Sequence, residues 1–224
     1  MGLESIVAEL RTEEEQVEAL KSWWKENGKS LIMGVVIAVA AVFGWRGWNQ
    51  YQDDFAANAS AMYESILNPV ATGLPLDDAA VTSLIQVGKD LRADYASSAY
   101  TPMAAMVLAR VSVNSGDLET ALEQLDYVIS SEVSPLSMKS LATIRKAKVQ
   151  LGLGQADAAK ASLAQIDGSD FPSLYAEAQG DVAAALGDAS EARASYEVAM
   201  GSADPQRKQV IKLKYDDLAT GDAS

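Results

Sequence analysis

The chain has 224 residues, 18 Lys+Arg against 31 Asp+Glu for a formal net charge of −13, and neither Cys nor His. That excludes a disulfide framework, a thiol nucleophile, an iron–sulfur cluster, Cys-ligated zinc, a Ser-His-Asp triad and any histidine metal ligand. The acidic balance speaks against nucleic acid, whose phosphates demand basic patches, while 49% apolar residues suits a chain with a real core.

Residues 1–29 are polar and carry seven acidic groups. Two motifs here are fragments rather than sites. Gly28-Lys29-Ser30 has the tail of a phosphate-binding loop, but that motif needs Gly where Trp23 stands, and a strand before it. Ser22-Trp23-Trp24-Lys25 has the spacing of a Ser/Lys acylation pair, with no companion motif to complete a site.

From Ser30 to Trp45 the chain reads SLIMGVVIAVAAVFGW, 16 residues without a charge, bounded by Lys29 and Arg46. At 1.5 Å per residue, Lys29 to Arg46 spans roughly 25 Å of helix, slightly short of a hydrocarbon core of about 30 Å. Both bounding cations can snorkel outward, and Trp24 and Trp48 lie roughly 36 Å apart, near interfacial depth. Eight Leu, Ile, Val or Phe residues favour insertion by roughly 2–5 kcal/mol in all. The expected elements are therefore a segment 1–29, a transmembrane helix 30–48 and a domain 49–224. Trp23, Trp24, Lys29, Trp45, Arg46 and Trp48 are the expected membrane-interface residues. A secretory signal peptide is disfavoured by the acidic residues before the run, and a buried core helix by the paired Trp, Lys and Arg at its two ends. Arg11, Lys21, Lys25 and Lys29 precede the span, whereas Arg46 alone follows it before Lys89. The positive-inside rule then keeps the N-terminus cytoplasmic and sends the domain across, as a single-pass type II protein.

Residues 53–224 carry 24 acidic and 13 basic residues and no alternating strand pattern. Ala, Leu, Glu, Gln and Lys at helical spacing, interrupted at Gly and Pro, predict an all-α domain. Pro102, Pro135, Pro172 and Pro205 recur at intervals of 33, 37 and 33 residues, and Gly116, Gly154 and Gly187 at 38 and 33. Each of these glycines is followed, five residues on, by an alanine: Ala121, Ala159 and Ala192. A period near 34 residues with Gly in the middle and Pro at the end predicts an array of helix hairpins. Residues 53–99 are expected to add a degenerate helix pair. The last helix, Pro205 to Leu218, would cap the array with a polar face carrying Arg207, Lys208, Lys212 and Lys214.

The repeats resemble the tetratricopeptide repeat family, with its W-x2-L-G-x2-Y…A-x3-F…P pattern. Leu108, Ala109, Ala121 and Leu125 match in the first unit; Ala147, Ala159 and Leu163 in the second, where Lys146 departs from the expected Leu; Gly180, Ala192 and Tyr196 in the third, with Pro205 one place late. The leading Trp is replaced by Ala105, Thr143 and Ala176. Small residues at the Gly and Ala places let the two helices of a hairpin approach closely. The resemblance covers about residues 102–205 and implies an α-solenoid in which the first helix of each hairpin lines a concave groove. By spacing, the groove-facing candidates are Met103, Met106 and Arg110, then Leu141, Ile144 and Lys148, then Leu174, Glu177 and Asp181.

A second resemblance covers the N-terminal part. EQVEALKSWWKENGK (15–29), the apolar run, and GWRGWNQYQ (44–52) are similar to the bacterial ancillary SecYEG translocon subunit family. That resemblance implies a short cytoplasmic segment, one inner-membrane span and a periplasmic tetratricopeptide-like domain. It also implies association with the SecYEG translocon and a PpiD-like periplasmic folding factor, and a link to envelope stress through an RcsB-like response regulator.

No cofactor, metal or small-molecule substrate is expected. Carboxylates abound, but only 7% of residues are aromatic and all four Trp lie at the ends of the apolar run, so no sugar cleft surrounds a glycosidase pair. The reading is a non-enzymatic, membrane-anchored interaction module at the export channel. Its groove would meet extended client segments, the Met pair suiting adaptable apolar contact. The alternative is a regulator whose residues 1–29 hold a signalling partner.

Overall fold

A computed structural model of the chain describes the backbone of residues 3–221 and the side chains of residues 14–218. The side chain of Arg11 and position 224 lie outside the described residues. The described residues are helical with no strand, in agreement with the expected all-α class. The chain divides into two units, with the boundary between Phe55 and Ala56. The first helix, α1 (Leu3–Ala71), carries the chain through this boundary without a break, so no helix end marks the end of the apolar run.

In the first unit the described part of α1 is bare. Ile37, Phe43 and Trp45 are 62%, 68% and 67% exposed, and the other large apolar side chains from Leu31 to Trp48 are exposed as well. Among the described residues this is the one helix long and apolar enough to cross a membrane. A core helix of a water-soluble domain would bury that surface; here only 6% of the apolar stretch is covered.

The second unit continues from the end of α1 through α2 (Asp78–Asp94), α3 (Tyr100–Ser115), α4 (Leu118–Ser130), α5 (Leu136–Gly152), α6 (Ala156–Leu163), α7 (Pro172–Ala185), α8 (Ala189–Ser202) and α9 (Pro205–Gly221). Helices α3/α4, α5/α6 and α7/α8 are the three expected hairpins, and the end of α1 with α2 is the degenerate pair before them. Turn chemistry sets the hairpins. Gly116 and Gly187 close two of them with φ of 82° and 83°, a left-handed conformation that costs glycine little. The following Asp117 and Asp188 accept hydrogen bonds from the backbone N–H of Thr120 and Glu191, both at 2.9 Å, and so cap α4 and α8. In the middle hairpin Gln155 takes that place and makes no side-chain cap, and α6, which it opens, is only eight residues long.

Apolar burial is shared among four small clusters strung along the array. Ile66, Leu91 and Leu108 fill the first, Leu125 and Val128 the second, Ile144 and Leu163 the third, Tyr196 and Ile211 the fourth. Each first helix of a hairpin serves two clusters at once: Ala104 and Leu108 of α3 face back, whereas Ala105 and Ala109 face forward. Likewise α5 gives Ala142 and Val149 to one cluster and Ile144 and Ala147 to the next. A helix buried on two sides needs small residues, which accounts for the alanine content. Since a fully buried Leu or Ile contributes about 1.5–3 kcal/mol, no cluster of this size holds alone, and each hairpin depends on its neighbours.

A close approach between the two helices of one hairpin lies in the third. A Cβ built on Gly180 would lie 2.5 Å from ring carbons of Tyr196, which is itself buried and donates its hydroxyl to Asp181 at 2.9 Å. We expect Gly180→Val to lower the stability of the full chain by about 2–4 kcal/mol, because ring and backbone must both shift. Gly201→Ala, whose Cβ meets open space, should be neutral or slightly stabilising. Thermal unfolding of both variants by circular dichroism in detergent checks the contrast; equal midpoints would refute it.

Candidate functional site

Two surfaces come from the sequence, and the structure treats them differently. On α1, Trp23, Trp24, Trp45 and Trp48 are 48%, 52%, 67% and 59% exposed, and Lys29 and Arg46 are exposed too. Trp24 lies over Gly28 one turn on, where a Cβ would stand 3.3 Å from the indole. Beyond the expected residues, Trp48 continues into an aromatic row at helical spacing. Its ring lies 6.2 Å from that of Tyr51, which is 6.3 Å from that of Phe55.

On the hairpins the nine expected groove residues divide. Met103, Met106, Leu141 and Leu174 are half-buried; Met106 packs on the α3–α4–α5 cluster and Leu174 on the α5–α6–α7 cluster. Ile144 is a correction: it is 1% exposed, sealed in the α5–α6–α7 cluster, and has no groove surface. The spacing i, i+3 from Leu141 points it there because α5 is buried on two sides.

Lys148, Glu177 and Asp181 come together, but with each other and with α9. Glu177 is 4% exposed and meets Lys148 at 3.1 Å, Lys214 at 2.8 Å and Arg207 at 2.5 Å. Lys214 also holds Asp181 at 2.8 Å, and Asp181 accepts the Tyr196 hydroxyl. The network ties α5, α7 and α9 together. Helix α9 is therefore more than a polar cap: Arg207 and Lys214 point inward to α7, while Lys208 and Lys212 stay exposed. Its basic residues lay in plain sight in the sequence, and alternating with the acids of α7 they were the available signal for this contact.

Burial pushes the Glu177 carboxyl up, but hydrogen bonds from Lys214 and the charges of Lys148 and Lys214 outweigh it and hold the pKa at about 2. Burial first, then Asp181, pushes the Tyr196 hydroxyl up, so it stays a donor at any working pH. Among the described residues no three metal-ligating groups converge. The network fastens α5, α7 and α9 to one another.

A cleft of about 420 Å³ lies open between α3 and α5, floored by α4. Its apolar wall is Ala109, Val113, Leu118, Leu125 and Val149, and its rim carries Arg110, Arg145 and Lys148. Arg145, which the groove spacing missed, shares its helix face with Lys148 three residues on. A further cation, Arg92 of α2, is engaged elsewhere: it meets Gln124 and Glu123 and lies 4.3 Å from the centre of the Tyr127 ring, clasping α2 to α4.

Because the folded Glu177 carboxyl sits below its unfolded value, its stabilisation is full above about pH 4.5 and is lost as pH falls towards about 2. Glu177→Gln should cost about 2–4 kcal/mol at pH 7, since it strips the shared partner from three cations. It should also flatten the loss of stability below pH 4.5. Unfolding midpoints of wild type and variant across pH 2–7 check this; parallel curves would contradict it.

A tetratricopeptide repeat-like domain model matches residues 21–220. Proteins named ancillary SecYEG translocon subunit are similar over nearly the whole chain. That of Escherichia coli is 32% identical and that of Haemophilus influenzae 31%, each alignment covering 92% of this chain and 97% of the relative. The Aggregatibacter actinomycetemcomitans protein of the same name is 29% identical over the same shares. No solved structure matches. Identity of 32% over nearly the full length of both chains, with the repeat-like domain model matching residues 21–220, makes the chain a member of the ancillary SecYEG translocon subunit family with a tetratricopeptide repeat-like domain.

Proposed function

We propose that the chain is a single-pass type II protein of the bacterial inner membrane that works by binding, not by catalysis. In this reading residues 1–29 are cytoplasmic, 30–48 cross the bilayer and 49–224 form a periplasmic domain at the SecYEG translocon. There the domain assists the handling of exported proteins together with a PpiD-like folding factor. The observation that carries the reading is the uncovered, continuous apolar stretch of α1, in a chain whose hairpins bury apolar clusters between their helices. The relatives' name supports the channel as the neighbour.

The mechanism is tethering. A domain fixed beside the channel exit meets emerging chains at an effective concentration set by the tether, so weak contacts suffice. The cation imbalance about the span, with Lys21, Lys25 and Lys29 on one side and Arg46 alone on the other, supports the orientation. A second reading rests on the exposed polar face of α1 at Glu14, Glu15 and Glu18, which is free to bind a cytoplasmic regulator such as an RcsB-like response regulator. Deleting residues 1–22 separates the two: loss of stress signalling with channel association intact favours the regulator.

The chain has no Cys, so single substitutions report topology. In intact spheroplasts a membrane-impermeant thiol reagent should label Ser224→Cys and spare Ser5→Cys. The reverse pattern, or labelling at both positions, would contradict the orientation.

A further inference from the structure

Arg110 and Arg145 stand on the rim of the cleft between α3 and α5. The chain has 31 acidic residues against 18 basic, yet among the described residues no carboxylate lies within 4.0 Å of either guanidinium. Neither donates a hydrogen bond to a described residue. The third rim cation, Lys148, is engaged with Glu177 at 3.1 Å. Burial, then the charge of Arg110, holds Arg145 below the ordinary guanidinium range, which places the two positive charges close enough to repel. An acidic chain that leaves two neighbouring arginines without a counter-charge has left an anion site open.

The floor between them is apolar. Ala109, Leu125 and Val149 are buried, Val113 is 42% exposed at the surface of the cleft, and Gly152 leaves the far end low. A volume of about 420 Å³ falls within the range of about 300–1,000 Å³ in which ligand groups are held, and suits one or two apolar side chains. Guanidinium groups match the planar, bidentate geometry of a carboxylate. We propose that this cleft binds an extended polypeptide segment in which an apolar side chain is flanked by Asp or Glu, the apolar group on the floor and the carboxylate across Arg110 and Arg145. The inference deepens the function proposed above and rests on it only for the source of the segment. Lys148 and Glu177 are no part of the anion site, since their charges satisfy each other.

The test uses the full chain in nanodiscs of zwitterionic phosphatidylcholine. The probe is a fluorescent, end-capped nonapeptide with a central Leu flanked by Glu, beside a twin with Lys in place of Glu, read by fluorescence anisotropy. The Glu peptide should bind about tenfold or more tightly than its twin, and Arg110→Glu with Arg145→Glu should reverse the preference. Both side chains reach solvent at the rim of the cleft and meet no carboxylate among the described residues, so the variant should keep its helical circular dichroism. Val113→Trp fills the floor with both charges in place and should weaken the Glu peptide about fivefold or more. Peptides that bind within about twofold of each other, or a double variant with unchanged preference, would overturn the proposal. So would binding of phosphatidylglycerol vesicles through the same arginines with no peptide binding. Co-purification with SecYEG is read separately: its loss with peptide binding retained would sink the channel reading and leave this one standing.

Discussion

Sixteen consecutive uncharged residues on one helix, with no protein packed over them, are the constraint on which everything else depends. Water is a poor solvent for that surface, at about 25 cal/mol for each Å² left exposed. A bilayer accepts it, because an α-helix satisfies its own backbone hydrogen bonds and presents only side chains to lipid. The bounding cations and the tryptophans on both sides set where such a helix would stop sliding. Aromatic side chains continue past the run, with Tyr51 and Phe55 following Trp48.

The hairpin array obeys the opposite rule. Its apolar surface is divided into pieces too small to hold alone, and each first helix turns one face to the cluster before it and one to the cluster after. Small residues make this workable: Ala109 and Ala121 are buried in one cluster, Ala147 and Ala159 in the next, and Gly180 makes room for the Tyr196 ring. Where apolar contact runs out, at the junction of α5, α7 and α9, charge takes over. Glu177 gathers three cations, and this fastens the last helix to the array. Among the described residues the arginines of the neighbouring cleft, Arg110 and Arg145, have no such partner, which is the basis for the guest site proposed there.

Much of this was legible in the sequence, for identifiable reasons. The turn glycines, the alanine five residues after each and the prolines at near-constant intervals are local signals: Gly116, Gly154 and Gly187 take the left-handed conformation, Ala121, Ala159 and Ala192 are buried, and the four prolines fall within two residues of a helix start. Long-range pairing was not legible. Ile144 was expected on an open face because helical spacing reports one stripe, whereas α5 is buried on two. Helix α7 gives no stripe at all, since Ala176, Ala178, Val182 and Ala183 are spread around it between two clusters. Glu177 and Asp181 were read as groove groups, since nothing local announces that Arg207 and Lys214, some 30 residues on, fold back onto them. Gly88 of α2, whose added Cβ would meet Leu108 of α3 at 2.3 Å, shows the same close-approach device between the degenerate pair and the hairpin after it, where no motif drew attention to it.

Extraction of isolated membranes with alkaline carbonate, without detergent, tests the central point most directly. A helix whose apolar surface lies in lipid stays with the membrane pellet at high pH and is released only by detergent. That is the result predicted for the intact chain, and for a variant in which Lys148, Glu177 and the cleft arginines are all replaced. Recovery of the intact chain in the aqueous supernatant would mean that some protein surface covers residues 30–45, and the account of α1 would be wrong.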